Sequence, residues 1–105
     1  MKRPTTISGA TEDPFPPGAI LRLGPDIVLR PEPMGFLAYD VRRDLLFEGN
    51  RTGAFILGLC DSHRTIREMV ACCAEAWGLP VQEARGHFAT FLEQAAGEGI
   101  VEPVP

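Results

Sequence analysis

The sequence has no long hydrophobic run, no excess of basic charge and few cysteines, and each absence excludes a class of protein. No apolar stretch approaches the roughly 20 residues that a transmembrane helix needs. The N-terminus also lacks the apolar segment of a secretory signal. A net charge of -4 argues against binding to nucleic-acid phosphates, which requires a basic surface. Three cysteines, an odd number, do not suggest a disulfide framework. We therefore expect a protein of the reducing cytoplasm that binds neither membrane nor nucleic acid.

Motifs of catalysis and of cofactor binding are also missing. The sequence has no glycine-rich phosphate loop, no nucleophile elbow and no His-Glu metal motif. Cys60, His63, Cys72 and Cys73 lack the paired Cys-x-x-Cys spacing of a zinc site, which favours an interpretation as small buried or half-buried thiols. The sequence therefore predicts no enzymatic activity, no cofactor and no bound metal.

The chain does contain enough apolar sequence for one core. With 105 residues and 45% hydrophobic content it can bury a single core and no more. Residues 1–19 are rich in proline and glycine and predict a flexible tail, with Phe15 as a candidate contact to the domain. Residues 20–102 are predicted to form the one folded domain.

Turn signals and apolar alternation predict a small antiparallel sheet in the first half of the domain. Residues 27–30 form a short β-branched strand, and the Pro31 that follows suits an edge strand. Residues 34–39 and 45–48 read as a hairpin around the polar turn 40–44. Both faces of this hairpin carry apolar side chains. One face should therefore keep apolar surface without an intramolecular partner.

Helical periodicity predicts three helices in the second half, at about residues 52–60, 65–77 and 81–96. Thr65 and Glu68 have the spacing of a capping box at the start of the second helix. The predicted fold class is α+β and winged helix-turn-helix-like, with a three-stranded antiparallel sheet followed by three helices.

The order of these features, together with specific residues, resembles a known family. The residues that carry the resemblance are Ile56-Leu57-x-Leu59-Cys60-Asp61-x-x-Arg64-Thr65-Ile66-x-Glu68-Met69-Val70, then Phe88-x-x-Phe91-Leu92 and Gly97-x-Gly99-Ile100-Val101. This pattern resembles PqqD, the small peptide chaperone of pyrroloquinoline quinone biosynthesis. The upstream residues 29–39, with Asn50-Arg51-Thr52 after the hairpin, are similar to the mycofactocin branch of the same superfamily. Together the similarity covers about residues 20–101.

The resemblance implies a RiPP recognition element, a domain that captures the leader of a ribosomally made precursor peptide. Members of the family deliver that peptide to a radical S-adenosylmethionine (radical SAM) enzyme. The resemblance further implies that the leader adds as a strand beside residues 43–48, in a cleft closed by the helix at residues 81–96. The peptide-binding residues predicted in this way are Arg43, Asp44, Leu45, Leu46, Phe47, Glu48, Arg85, Phe88, Ala89 and Leu92.

Two other functions remain open for this fold. A winged-helix DNA-binding regulator would place the third helix in the major groove, but that helix carries one arginine and no lysine to meet phosphate. A dimerisation module would instead pair the same sheet edge with a second copy of the chain. Titration against DNA at low salt, and dispersal of such a dimer by a peptide, would discriminate between these functions.

Overall fold

The computed structural model describes residues 15–105, which form six strands and three helices. The elements in chain order are β1 (Ile20–Leu23), β2 (Ile27–Glu32), β3 (Gly35–Asp40), β4 (Leu45–Asn50), α1 (Arg51–Leu59), β5 (Asp61–Thr65), α2 (Ile66–Trp77), α3 (Val81–Gly97) and β6 (Val101–Pro103).

The strands form two antiparallel sheets of three strands each. In the first sheet, β1 lies between β5 and β6, so the C-terminal strand returns to pair with the first one. In the second sheet, β3 lies between β2 and β4. Consecutive strands of this sheet are joined by short turns, as expected for a meander. Strand β4 is therefore an edge strand, and α1 begins directly after it.

The hydrophobic core lies between the inner face of the second sheet and the three helices. Strand β3 alternates, so that Phe36 and Ala38 are buried while Tyr39 is exposed. Each helix contributes one buried face. The largest fully buried side chains are Phe88, Leu21, Ile56, Leu57, Ile66, Met69, Leu92, Val70 and Cys73. The helix faces predicted from periodicity supply most of this core.

Local signals in the sequence explain several element ends. The Asn50 side chain accepts a hydrogen bond from the backbone of Gly53 and caps α1. Thr65 and Glu68 form the predicted capping box of α2, and Gly78 in the left-handed conformation ends that helix. Pro31 lies in β2, an edge strand, as its missing amide requires.

The first sheet was not predicted. Residues 61–64, between the first two predicted helices, carry no strand signal, because Asp-Ser-His-Arg has no apolar alternation. They form β5 because β1 offers them backbone partners, with Ile20 opposite Thr65 and Arg22 opposite Asp61. The predicted flexible tail falls mostly on residues 1–14, outside the described residues. Phe15 is half-buried and packs against the core.

Candidate functional site

A cleft runs between β4 and the C-terminal half of α3. It contains a cavity of about 220 Å³, smaller than the roughly 300–1,000 Å³ of a typical small-molecule pocket. The residues that line it are Phe36, Phe47, Glu48, Gly49, Asn50, Phe91, Gln94, Ala95, Glu98 and Ile100. Its floor is largely apolar and its rim is polar. Such a cavity can take a single large side chain of an extended chain.

Two phenylalanines in this floor have space only because two of their neighbours are glycines. Phe36 and Phe91 pack edge to face, with ring centroids 6.2 Å apart. A Cβ atom at Gly49 would lie 2.3 Å from Cε1 of Phe36, and one at Gly53 would lie 2.6 Å from Cε1 of Phe91. Both distances are too short for real carbon contacts. The two glycines therefore set the position of the aromatic pair.

The cleft continues past the end of β4. A second cavity of about 330 Å³ shares Asn50, Phe91 and Gln94 with the first. Its remaining lining residues are Thr52, Gly53, His87 and Thr90, from the start of α1 and the middle of α3. Because the two cavities share these three residues, we describe them together as one groove.

The opposite end of the groove is bridged by Arg43, in the turn between β3 and β4. The Arg43 side chain donates to the carbonyl oxygen of Glu98, which caps the C-terminus of α3. Its Nε also donates to Oδ2 of Asp40 at 2.7 Å. The backbone amides of Arg42 and Arg43 donate to Oδ1 of the same carboxylate. Hydrogen bonds from the backbone and side chain of Arg43 lower the pKa of Asp40, because they stabilise its charged form. We call this arrangement of Asp40, Arg43 and Glu98 the arginine bracket.

The outer edge of β4 is free of any other strand within residues 15–105. The other edge strands of the two sheets are less suited to pairing with an added strand. Strand β2 contains Pro31, which has no amide to donate, and β6 is three residues long and ends in Pro103. Strand β5 is polar along its whole length, and its Ser62 has a positive φ of 72°, which departs from extended backbone. Strand β4 has six residues and no proline. It combines an unpaired row of backbone groups with an adjacent apolar cavity.

The structure places the predicted residues of the hairpin in several environments. Phe47 and Glu48 line the cleft. Leu46 lies on the opposite face of the sheet from Phe47, the same face as Glu48, and lines a different cavity. Arg43 belongs to the arginine bracket, and Asp44 accepts a hydrogen bond from the Tyr39 hydroxyl at 2.5 Å. The predicted Leu45 is exposed at the start of β4.

The predicted residues of α3 do not line the cleft. Phe88 and Leu92 are fully buried in the core and offer no surface to a ligand in this conformation. Arg85 and Ala89 are half-buried on the N-terminal half of the helix. Helix α3 does lie beside β4, but the side of the helix that faces this strand carries other residues.

The stripe that faces the cleft is Phe91, Gln94, Ala95 and Glu98, with i, i+3, i+4, i+7 spacing. None of these four residues is among the peptide-binding residues predicted from the sequence. Periodicity identifies stripes of a helix but does not show which of them meets β4. The tertiary packing of α3 against β4 decides which stripe faces the strand.

The three cysteines and two histidines form no reactive or metal-binding cluster. Among residues 15–105, no group of three or more His, Cys, Asp or Glu side chains could hold a metal ion. Burial raises the pKa of the Cys60 thiol to about 12 and that of Cys73 to about 11. Both thiols are therefore protonated and unreactive near neutral pH. None of the helices in the described part of the chain has the length and apolarity needed to cross a membrane.

Comparisons with known proteins agree with this architecture. A solved structure, that of TbiB1 in complex with the TbiA(beta) leader peptide, superposes with a TM-score of 0.71 at 13% sequence identity. The match covers 80% of this chain and 98% of that one, and it confirms the predicted α+β, winged-helix-like fold. No curated protein matches the sequence. The family model for coenzyme PQQ synthesis protein D (PqqD) matches residues 36–101, from β3 to the start of β6. This is more than half of the chain, and the chain therefore belongs to the PqqD family.

Proposed function

We propose that this domain captures the leader of a ribosomally synthesised precursor peptide by strand addition to β4. The observation that supports it best is the unpaired edge of β4 beside an apolar cavity. An extended peptide would satisfy the free amide and carbonyl groups of that edge. One of its apolar side chains would fill the cavity on the Phe36–Phe91 floor. The structural relative was solved in complex with a leader peptide, which supports leader binding by a domain of this fold.

The expected affinity is moderate. Burial of one large apolar side chain contributes about 1.5–3 kcal/mol. Backbone hydrogen bonds along β4 add to this, and the cost of ordering a flexible leader subtracts from it. A micromolar dissociation constant requires about -8 kcal/mol in total. The cleft is of a size to reach that value, and picomolar binding would be unexpected.

The proposed role in the pathway is that of a chaperone, with no catalysis of its own. The domain would present the bound peptide to a radical SAM maturation enzyme, as the family resemblance implies. Its three unpaired cysteines fit a reducing cytoplasm. Whether the partner enzyme belongs to a mycofactocin-type system stays a prediction.

A pair of tryptophan variants tests the site. Gln94 lines both cavities and is exposed, so Gln94→Trp should block the groove without disturbing the core. Glu93 is also exposed but lines neither cavity, so Glu93→Trp is a matched control. We expect a short precursor to be encoded beside this gene, and the probe is a synthetic peptide of that precursor, titrated against ¹⁵N-labelled protein.

We expect Gln94→Trp to weaken peptide binding at least tenfold and Glu93→Trp to leave it unchanged. Modification of the precursor by the purified radical SAM enzyme should fall in parallel. Equal affinity of the two variants would place the peptide elsewhere. Loss of binding without loss of modification would contradict the role in delivery.

A further inference from the structure

The face of the second sheet that points away from the helices is largely apolar and uncovered. Strand alternation places Val28, Leu37, Tyr39 and Leu46 together on this face. Val28 is 56% exposed and Leu46 is 64% exposed. With Arg30, these side chains surround a shallow cavity of about 260 Å³. Among residues 15–105, no helix or strand packs over it. We call this surface the outer face.

On the outer face, a positive charge on the β2 side of β3 is matched by a negative charge on the β4 side. The register places Arg30 of β2 and Glu48 of β4 on either side of Leu37. The next row, Val28, Tyr39 and Leu46, is apolar. Glu48 forms no ion pair with any of the described residues. Arg30 contacts Glu32 through Nε, which leaves the rest of its guanidinium group as donors.

This pattern is self-complementary under a two-fold axis. When two outer faces pack with an axis parallel to β3, the centre strands meet and each β2 faces the β4 of the second copy. Arg30 of each copy then lies opposite Glu48 of the other, and the apolar rows pack together. Glu32 would face Asn50 of the second copy, so the arrangement brings no like charges into contact.

We propose that this protein self-associates through the outer face, with a second copy of the chain as the partner. Three strands of six residues give a face of about 300 Å² per copy, from ordinary strand spacings. Stable interfaces cover about 800 Å² per partner, so the dimer should be weak and should form only at high protein concentration. The outer edge of β4 stays free in this dimer, which is therefore compatible with strand addition.

Charge reversal tests the proposed geometry. Arg30→Glu alone and Glu48→Arg alone would each place two like-charged pairs across the interface. The Arg30→Glu/Glu48→Arg double variant restores both pairs and keeps the net charge of -4, because the two reversals cancel. Sedimentation equilibrium without peptide, at low ionic strength, measures the dimerisation constant of each protein. Circular dichroism and urea titration check that each variant is folded.

We expect each single variant to dimerise about tenfold more weakly than the wild type, since both pairs change from attraction to repulsion. The double variant should recover the wild-type constant. A mixture of the two single variants should associate more strongly than either alone. That result distinguishes this dimer from pairing of two β4 edges, because Arg30 lies on the other edge strand.

Three outcomes would overturn the proposal. The first is a wild type that stays monomeric at millimolar concentration. The second is a double variant as weak as the single ones. The third is a dimer that the peptide probe disperses while charge reversal leaves it unchanged, which would place the contact at the β4 edge.

Discussion

Arg43 shows how one side chain can hold two elements in place. Its guanidinium group lies between the Asp40 carboxylate and the carbonyl of Glu98, at the end of α3 where the helix dipole is negative. The resemblance assigned this arginine to the peptide. In the structure this arginine joins the β3–β4 turn to the C-terminal end of α3, at one end of the cleft. A substitution here should affect binding through the position of the strand.

The arginine bracket should make stability depend on acid pH. Hydrogen bonds from Arg43 lower the pKa of Asp40, so the carboxylate stabilises the folded state above its unfolded pKa of about 4. This contribution is lost as the pH falls through the lower folded value. We expect Asp40→Asn to be less stable than the wild type by a constant amount between about pH 5 and 7. The difference should shrink below about pH 4.

Urea denaturation at a series of pH values measures this difference. Asp26→Asn, in the neighbouring turn, controls for the removal of a carboxylate that is not part of the arginine bracket. A difference between Asp40→Asn and the wild type that stays constant down to about pH 2 would show that the charge of Asp40 contributes nothing.

Glycines of α1 offer a matched pair of substitutions. A Cβ at Gly53 would meet the rings of Phe91 and Phe36, whereas at Gly58 it would meet nothing within 4 Å. We expect Gly53→Ala to destabilise the fold by roughly 1–3 kcal/mol and to weaken peptide binding about tenfold. Gly58→Ala should stabilise it by up to about 1 kcal/mol, because alanine favours the helix interior.

Thermal unfolding and peptide titration measure both variants. Binding by Gly53→Ala that equals the wild type would show that the Phe36–Phe91 pair is not part of the site. The sequence shows which glycines interrupt the periodicity of a predicted helix. It does not indicate which of them lie against a ring from a distant helix.

Strand β4 and helix α3 are the elements on which the proposed function depends. In any strand, alternate residues direct their amide and carbonyl groups to opposite edges. One alternate set in β4 bonds to β3, and the other set faces the cleft. Peptide addition should therefore protect every second amide between residues 45 and 50.

Amide hydrogen exchange with and without the peptide probe measures this periodicity. We expect the cleft-facing set to slow at least tenfold and the other set, already bonded to β3, to change little. Proline at one cleft-facing position should abolish binding and leave the helices intact. Uniform protection of all six residues would indicate a general change in stability and would contradict strand addition.

Elements were predicted well where local chemistry determines them and poorly where a distant partner does. The capping box at Thr65, the apolar faces of the helices and the hairpin around residues 40–44 are local signals, and all three are confirmed. Strand β5 has polar residues and exists because β1 lies beside it. Its sequence carries no periodic signal that would have identified it.

The whole molecule combines an acidic net charge with a winged-helix-like fold. We predict that it does not bind duplex DNA, since a net charge of -4 repels phosphate. Fluorescence anisotropy of a labelled duplex at about 50 mM salt, where electrostatic binding is strong, tests this. A basic winged-helix domain serves as a positive control. Saturable binding at micromolar protein would favour the DNA-binding alternative.

The arginine bracket also has a consequence for the register of a peptide that adds to β4. A strand that adds to a uniform edge can slide by two residues and keep its alternation. The hydrogen bonds of the arginine bracket close one end of the groove, and a bound peptide therefore cannot slide past that end. Different bound peptides would then share one register along β4. Because the register is fixed, an enzyme active site at a constant distance from this domain would reach the same position in each peptide.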